Sequence, residues 1–281
     1  MSEVLGPRSF LGYSRYRYLK LSLLGMAAAA AAYALSNPQG GRSGSTAVGY
    51  GLGIVSAALI VWLLWFGVRK RSRASTGAPL RGWLSGHVYL GVTLLLLVPL
   101  HSAFRFGWNE HTLAYALISV VVVSGVFGVF LYTLVPQPMT ANRPGQKLEG
   151  LMQQIADIDA QASTLARELP DSFVHAVQVS IEKTRIGGSV ARQLSGWDPR
   201  CGTTAALRMM RDELGKLDAA DAKVGGELEE MIAIKQTLLK RVRRDVRYRA
   251  LLDLWLLVHV PLSLAAFVAV AVHVYLVLYY R

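Results

Sequence analysis

Five apolar stretches set the limits on what this 281-residue chain can fold into: residues 19–35, 48–68, 83–104, 112–134 and 251–280. Crossing a hydrocarbon core of about 30 Å takes about 20 helical residues. A backbone with no water to bind must satisfy its own polar groups, so each stretch is expected to be a helix. The composition agrees, with 53% apolar and 17% charged residues, well away from the average soluble domain. The first stretch also fits a signal peptide, with a basic start and an Ala32-Tyr33-Ala34 triplet. It is counted here as a retained spanning helix.

The net charge of +12 is concentrated beside the apolar stretches. Arg8, Arg15, Arg17 and Lys20 precede or open the first. Arg69, Lys70, Arg71, Arg73 and Arg81 lie around the turn between the second and third. Lys240, Arg241, Arg243, Arg244, Arg247 and Arg249 precede the fifth. Arg42 and Arg105 are the basic residues of the opposite loops. Basic loops stay in the cytoplasm, so the expected topology has the amino terminus inside and the carboxyl terminus outside a bacterial-type cytoplasmic membrane. Charge placed this way speaks for lipid and against nucleic acid as the partner.

Residues 136–249 form a polar segment that this topology puts in the cytoplasm. Leu151, Ile155, Ile158, Ala162, Leu165 and Leu169 repeat at spacings of three and four. Leu207, Met210, Leu214, Leu217, Val224, Leu228, Met231, Leu238 and Val242 form a second seam. The expected structure is an antiparallel coiled-coil-like hairpin. Asp221, Lys235 and Gly225-Gly226 interrupt its second seam, which points to an imperfect coil or a partner contact. Asp171 is a candidate cap for a shorter helix ending at Gly187-Gly188. The fold class is thus all-α: a membrane bundle of five helices, 1–135 and 250–281, holding a four-helix core and interrupted by a helical insertion, 136–249. Gly49, Gly51 and Gly53 sit in an apolar stretch with no preceding strand, so they read as close helix packing and not as a nucleotide loop.

Within the third and fifth stretches the histidines repeat: His87 and His101, then His259 and His273, fourteen residues apart in both. Fourteen steps of about 100° return to within about 40° of the same helix face and rise about 21 Å. Each helix therefore offers one imidazole near each membrane surface. Both helices run outward in the expected topology, which pairs His87 with His259 at the inner level and His101 with His273 at the outer. Two imidazoles facing each other from two helices suit a bis-histidine haem, which leaves no open iron position and so favours electron transfer. A proton path, or zinc or copper bound by the imidazoles, is the alternative use of the same residues. The single cysteine, Cys201, excludes Cys-x-x-Cys-His attachment and a four-cysteine cluster, so two non-covalent haem b groups are expected. Small residues Gly91, Ser263, Ala266 and Ala269 leave room for a macrocycle, with Val270 facing the same way. Arg81 and Arg105 are candidates for its propionates or for interfacial anchoring. Pro99 and Pro261 are expected to free backbone carbonyls that accept the imidazole Nδ1–H.

The segments Gly-His-Val-Tyr-Leu-Gly through Pro-Leu-His-Ser, residues 86–102, and Val-His-Val-Pro-Leu through Val-His-Val, residues 258–274, resemble the di-haem four-helix cytochromes b. The likeness is to the ferric-reductase-like transmembrane domains and, more loosely, to the cytochrome b561 proteins, and it covers the second to fifth stretches. It implies an electron conduit. The chain departs from that pattern in lacking a sixth helix with a flavin and nicotinamide module, and in carrying the insertion. An electron-transfer subunit of a hetero-oligomeric complex is therefore expected, working with quinone, a flavin or iron–sulfur protein, or a cytochrome c. A stand-alone quinone-linked oxidoreductase and a non-haem scaffold or transporter are the alternatives. His111 reads as an interfacial polar residue with a quinone or proton role in second place, His175 as a solvated residue, and Cys201 as a structural or inert thiol. Ser124, Gly125 and Gly128 read as a packing face.

Overall fold

The structure, a computed structural model, describes residues 10–71, 79–134, 148–196, 198 and 200–280. Arg8, Arg73, Trp197 and Pro199 lie outside the described residues. Every regular element among the described residues is helical: α1 Tyr13–Leu35, α2 Ala47–Arg71, α3 Leu80–His101, α4 Glu110–Leu134, α5 Leu148–Leu165, α6 Asp171–Glu182, α7 Val190–Ser195, α8 Gly202–Leu214 and α9 Ala219–Tyr279. Five of them, α1 to α4 and α9, are long and apolar enough to cross a membrane. The chain divides into two compact units, residues 1–134 with 254–281, and residues 135–253. The helix α9 contributes to both.

In the first unit, small residues on α3 set how closely its neighbours approach. A Cβ on Gly82 would meet the Tyr13 ring at 3.0 Å, and one on Gly86 would meet Trp62 at 2.8 Å and Tyr18 at 3.2 Å. The Ser22 hydroxyl of α1 donates to the Tyr89 carbonyl of α3 at 3.1 Å. One apolar cluster, Ile60, Leu94, Ile118, Val122 and Ala266, joins α2, α3, α4 and α9. A second, Ala29, Leu52, Leu97 and Leu100, adds α1. The outward faces are also apolar, with Leu24 68%, Val123 64% and Leu257 70% exposed. Water does not tolerate so large an exposed apolar surface, whereas lipid does.

Two helix ends in this unit differ from the sequence expectation. The helix α3 stops at His101, three residues early, because Ala103 and Phe104 turn into the left-handed region with φ of 52° and 57°. The Phe104 amide donates to the Pro99 carbonyl at 2.9 Å and closes that turn. The helix α4 begins at Glu110, two residues early, because the Asn109 side chain accepts from the Thr112 amide at 3.0 Å, a good N-terminal cap. His111 thereby falls in the first turn of a helix.

The insertion is more than a two-helix hairpin. Its second seam breaks after Leu214, where Asp218 accepts from the amides of Ala220 and Asp221 at 3.1 and 2.8 Å and starts α9 anew. The helix α6 ends at Glu182, short of Gly187 and Gly188, whose φ values are 90° and 109°. It packs extensively against α8, so that Phe173, Ala176 and Val177 share a core with Ala206, Leu207, Met210, Leu228 and Ile232. The two seams do meet farther along, through Leu151 and Ile155 against Leu238, Leu239 and Val242.

Lys235 and Gly225 are both taken up in packing within the insertion. Lys235 is 1% exposed, and its ammonium donates to Asp159 Oδ1 at 2.5 Å and to the Ser180 carbonyl and hydroxyl, both at 3.1 Å. Gly225 lets α9 close on α8 and the turn after it, since a Cβ there would meet Leu214 at 2.9 Å and Leu217 at 3.1 Å.

Candidate functional site

The four histidines of α3 and α9 are half-buried inside the first unit. At one level the His101 and His273 ring centroids lie 6.2 Å apart with planes at 73°. His87 and His259 lie fourteen residues back along α3 and α9, about 21 Å from that pair. Phe66 of α2 lies against His87 at 5.0 Å, and Trp255 stacks on His259 at 5.1 Å.

The helices α2 and α4 hold these rings. His87 Nδ1 donates to the Leu63 carbonyl at 3.2 Å and His101 Nδ1 to the Gly49 carbonyl at 2.7 Å. A carbonyl can only accept, so Nδ1 is the donor in both rings and Nε2 is the nitrogen left for a ligand. The acceptors are themselves fourteen residues apart on α2, matching the spacing of the donors on α3, as two antiparallel helices require. His259 Nδ1 bonds the Ser124 hydroxyl of α4 at 3.2 Å. The expectation that Pro99 and Pro261 supply the acceptors is therefore corrected: the oxygens come from neighbouring helices.

Glycines make these approaches possible. A Cβ on Gly53 would lie 2.7 Å from His101 Cε1 and 2.8 Å from Nδ1, so any larger residue must displace the imidazole. A Cβ on Gly125 would lie 3.5 Å from His259 Cε1, an ordinary contact, and a Cβ on Gly128 would overlap the Trp255 indole. That indole donates to the Ser124 carbonyl at 2.8 Å. The Ser124, Gly125 and Gly128 face of α4 thus seats Trp255 and His259. Gly51 has open space around it, unlike Gly53.

A cavity of about 590 Å³ opens at the His101 and His273 level. Arg105, Asn109, His111 and Tyr115 line it with the two histidines, and Val270 forms part of its apolar wall. Of the two arginines proposed from the sequence, Arg105 is brought to this cavity, while Arg81 is exposed at the start of α3. Ala266 is buried in the apolar cluster of the bundle, and Ala269 is half-buried. The Ser263 hydroxyl donates to the His259 carbonyl at 2.7 Å. A Cβ on Gly91 would touch only Leu63, at 4.0 Å.

His111 is the residue that sequence reasoning undervalued. Its ring stands 4.2 Å from His273 at an angle of 66°, and its Nδ1 lies 2.8 Å from Glu110 Oε1. Ligand atoms of Glu110, His111 and His273 fall within 4.8 Å of one another. The available signal was depth: a short loop joins His101 to His111, so both sit at the same end of their helices.

Two residues discounted from the sequence lie in the second unit. His175 is exposed on α6. Cys201 is 3% exposed before α8, and Arg243 Nη2 donates to its sulfur at 3.3 Å. Burial alone raises this thiol, but hydrogen bonds from Thr204 and Arg243 and the charge of Arg243 outweigh it and hold the pKa below the ordinary thiol value.

Comparison of the chain with models of known families, with curated proteins and with solved structures finds no match.

Proposed function

We propose that the first unit is a membrane-integral di-haem cytochrome b that passes single electrons between the two faces of a bilayer. The supporting pattern is the repeated ligand design: two helices each offer two imidazoles at one spacing, and neighbouring helices hold three of those rings at Nδ1. This is how proteins orient a metal-binding imidazole and raise its basicity. The separation of His101 and His273 also fits: two metal–imidazole bonds of about 2 Å each, plus the half-widths of two five-membered rings, add up to about 6 Å, against the 6.2 Å between centroids.

Haem held by two such ligands exchanges one electron at a time and offers no open position to oxygen. The chain's own residues supply the rest. Arg105 lines the cavity with its guanidinium available to a carboxylate, and Phe66 and Trp255 exclude water around His87 and His259. The apolar cluster around Leu94 and Ala266 insulates the interior of the bundle. The basic clusters support a cytoplasmic amino terminus and insertion. Electrons then enter from quinone or from a flavin or iron–sulfur subunit, and leave to a partner such as a cytochrome c.

The test is a pyridine-haemochrome assay with quantitative amino-acid analysis on the full chain purified from membranes. Two haem b per chain are expected. A chain free of haem overturns the proposal. Gly53→Val should also lower haem occupancy at the His101 level alone, measured by the same assay, because its Cβ takes the space of the His101 ring. A second reading is favoured by the Glu110, His111 and His273 cluster, whose two imidazoles and one carboxylate suit a divalent transition metal. Elemental analysis finding zinc or copper and no haem iron would select it.

A further inference from the structure

We infer that the insertion binds the phosphate of an anionic lipid headgroup in a hollow between the loop joining α6 to α7 and helix α9. The hollow has a volume of about 20 Å³ and is lined by Arg185, Arg192, Gln193, Asp198 and Arg243. That is room for little more than one water-sized group, so a phosphate oxygen fits and a nucleotide does not. Arg243 builds the hollow: its Nη2 donates to the Arg185 carbonyl at 3.2 Å and to Asp198 Oδ2 at 3.4 Å. The other Asp198 oxygen accepts from the Arg200 amide at 3.2 Å, so the carboxylate lining the hollow is already taken up. The Arg192 stem packs over Gly188 and the Arg247 stem over Gly196, where a Cβ would meet them at 3.3 and 3.4 Å. Among the described residues, Arg185, Arg192 and Arg247 have no carboxylate within ion-pair distance. Four guanidiniums thus stand around one spent carboxylate, and a phosphate both neutralises that excess and matches the guanidinium fork. Its binding needs none of the histidines of α3 and α9.

A lipid is the occupant because of where these arginines fall along α9. Arg247 and Arg243 stand four and eight residues before the apolar stretch that begins at residue 251 of the same continuous helix, about 6 and 12 Å at a rise of about 1.5 Å per residue. The headgroup layer reaches about 5 to 7 Å beyond the hydrocarbon core. Arg247 therefore lies at the depth of the lipid phosphates. Arg243 stands one helical turn farther out, within the Debye length of about 8 Å over which a membrane surface attracts charge. On the inner side proposed for the insertion, the leaflet carries anionic lipids, and basic pockets beside a spanning helix hold their headgroups.

The test is hydrogen exchange read by mass spectrometry on the full chain in phosphatidylcholine nanodiscs, with phosphatidylglycerol added in increasing amounts as the probe. Amides of residues 184–196 should gain protection as phosphatidylglycerol increases. In the double variant Arg185→Gln with Arg192→Gln, both exposed side chains, half-protection should need about thirtyfold more of it, a factor of about five for each guanidinium lost. Arg247→Gln should raise the requirement about fivefold. The pair Arg167→Gln with Arg208→Gln, exposed elsewhere on the insertion, makes the same change in net charge and should respond as the parent does. A parent that gains no protection overturns the inference. An equal loss in both double variants overturns it too, since it would show only general attraction to a charged surface. Inorganic phosphate that gives the same protection in phosphatidylcholine alone overturns it in favour of a soluble anion.

Discussion

On the di-haem proposal, replacing His273 with Ala should leave a chain that binds one haem in place of two, and His259→Ala should remove the other instead. The losses are expected to be separate because each level has its own supports. His87 and His259 are held by Leu63, Ser124, Phe66 and Trp255, whereas His101 is held by Gly49 and given room by Gly53. None of the first group belongs to the second. The apolar cluster of Ile60, Leu94, Ile118, Val122 and Ala266 packs the four helices together without help from any histidine, so the bundle should survive either replacement. Haem stoichiometry by pyridine haemochrome measures the result directly. Loss of both haems from either single variant would mean that the two levels form one cooperative site, and that the division drawn here is wrong.

Asp159→Ala should destabilise the insertion by about 3 kcal/mol, the lower end of the cost of leaving one member of a buried ion pair alone. Lys235 is 1% exposed and Asp159 retains 20% of its side-chain exposure, so the ammonium is the member that suffers. Ser180 would still accept from it through its carbonyl and hydroxyl, but neither carries a charge. The double variant Asp159→Ala with Lys235→Met should recover most of the loss, because it removes the buried charge along with its partner. Hydrogen exchange read by mass spectrometry on the full chain checks both. Amides of α6 and of the Lys235 segment of α9 should lose protection in the single variant and regain it in the double. An unchanged exchange pattern in Asp159→Ala would show that Ser180 alone suffices.

Much of this architecture was legible from local pattern. Apolar runs of sufficient length specify helices whatever their neighbours are, because the backbone has no other way to satisfy itself in lipid. The fourteen-residue spacing of His87 with His101 and of His259 with His273 specifies face and depth, because helical rise and rotation are constant along a chain. The seam around Leu151 and Ile155 was visible for the same reason, and it does pack on Leu238 and Val242.

What the tertiary structure alone decided has a common cause, namely contacts that leave no trace in residue type or spacing. The Gly49 and Leu63 carbonyls that hold His101 and His87 are backbone atoms, which any residue at those positions would supply. Lys235 reads from sequence as a flaw in one seam, yet folding buries it against Asp159, 76 residues away. The hairpin expected from two seams became a packed group of helices because Asp218 starts a new helix where the periodicity continues. His111, read as an interfacial polar residue, stands against His273, since only the packing of α4 beside α9 decides which histidines share a level. The chain's local periodicity thus determined its helices and the depth of its four repeated imidazoles, and the packing of those helices decided what each imidazole touches.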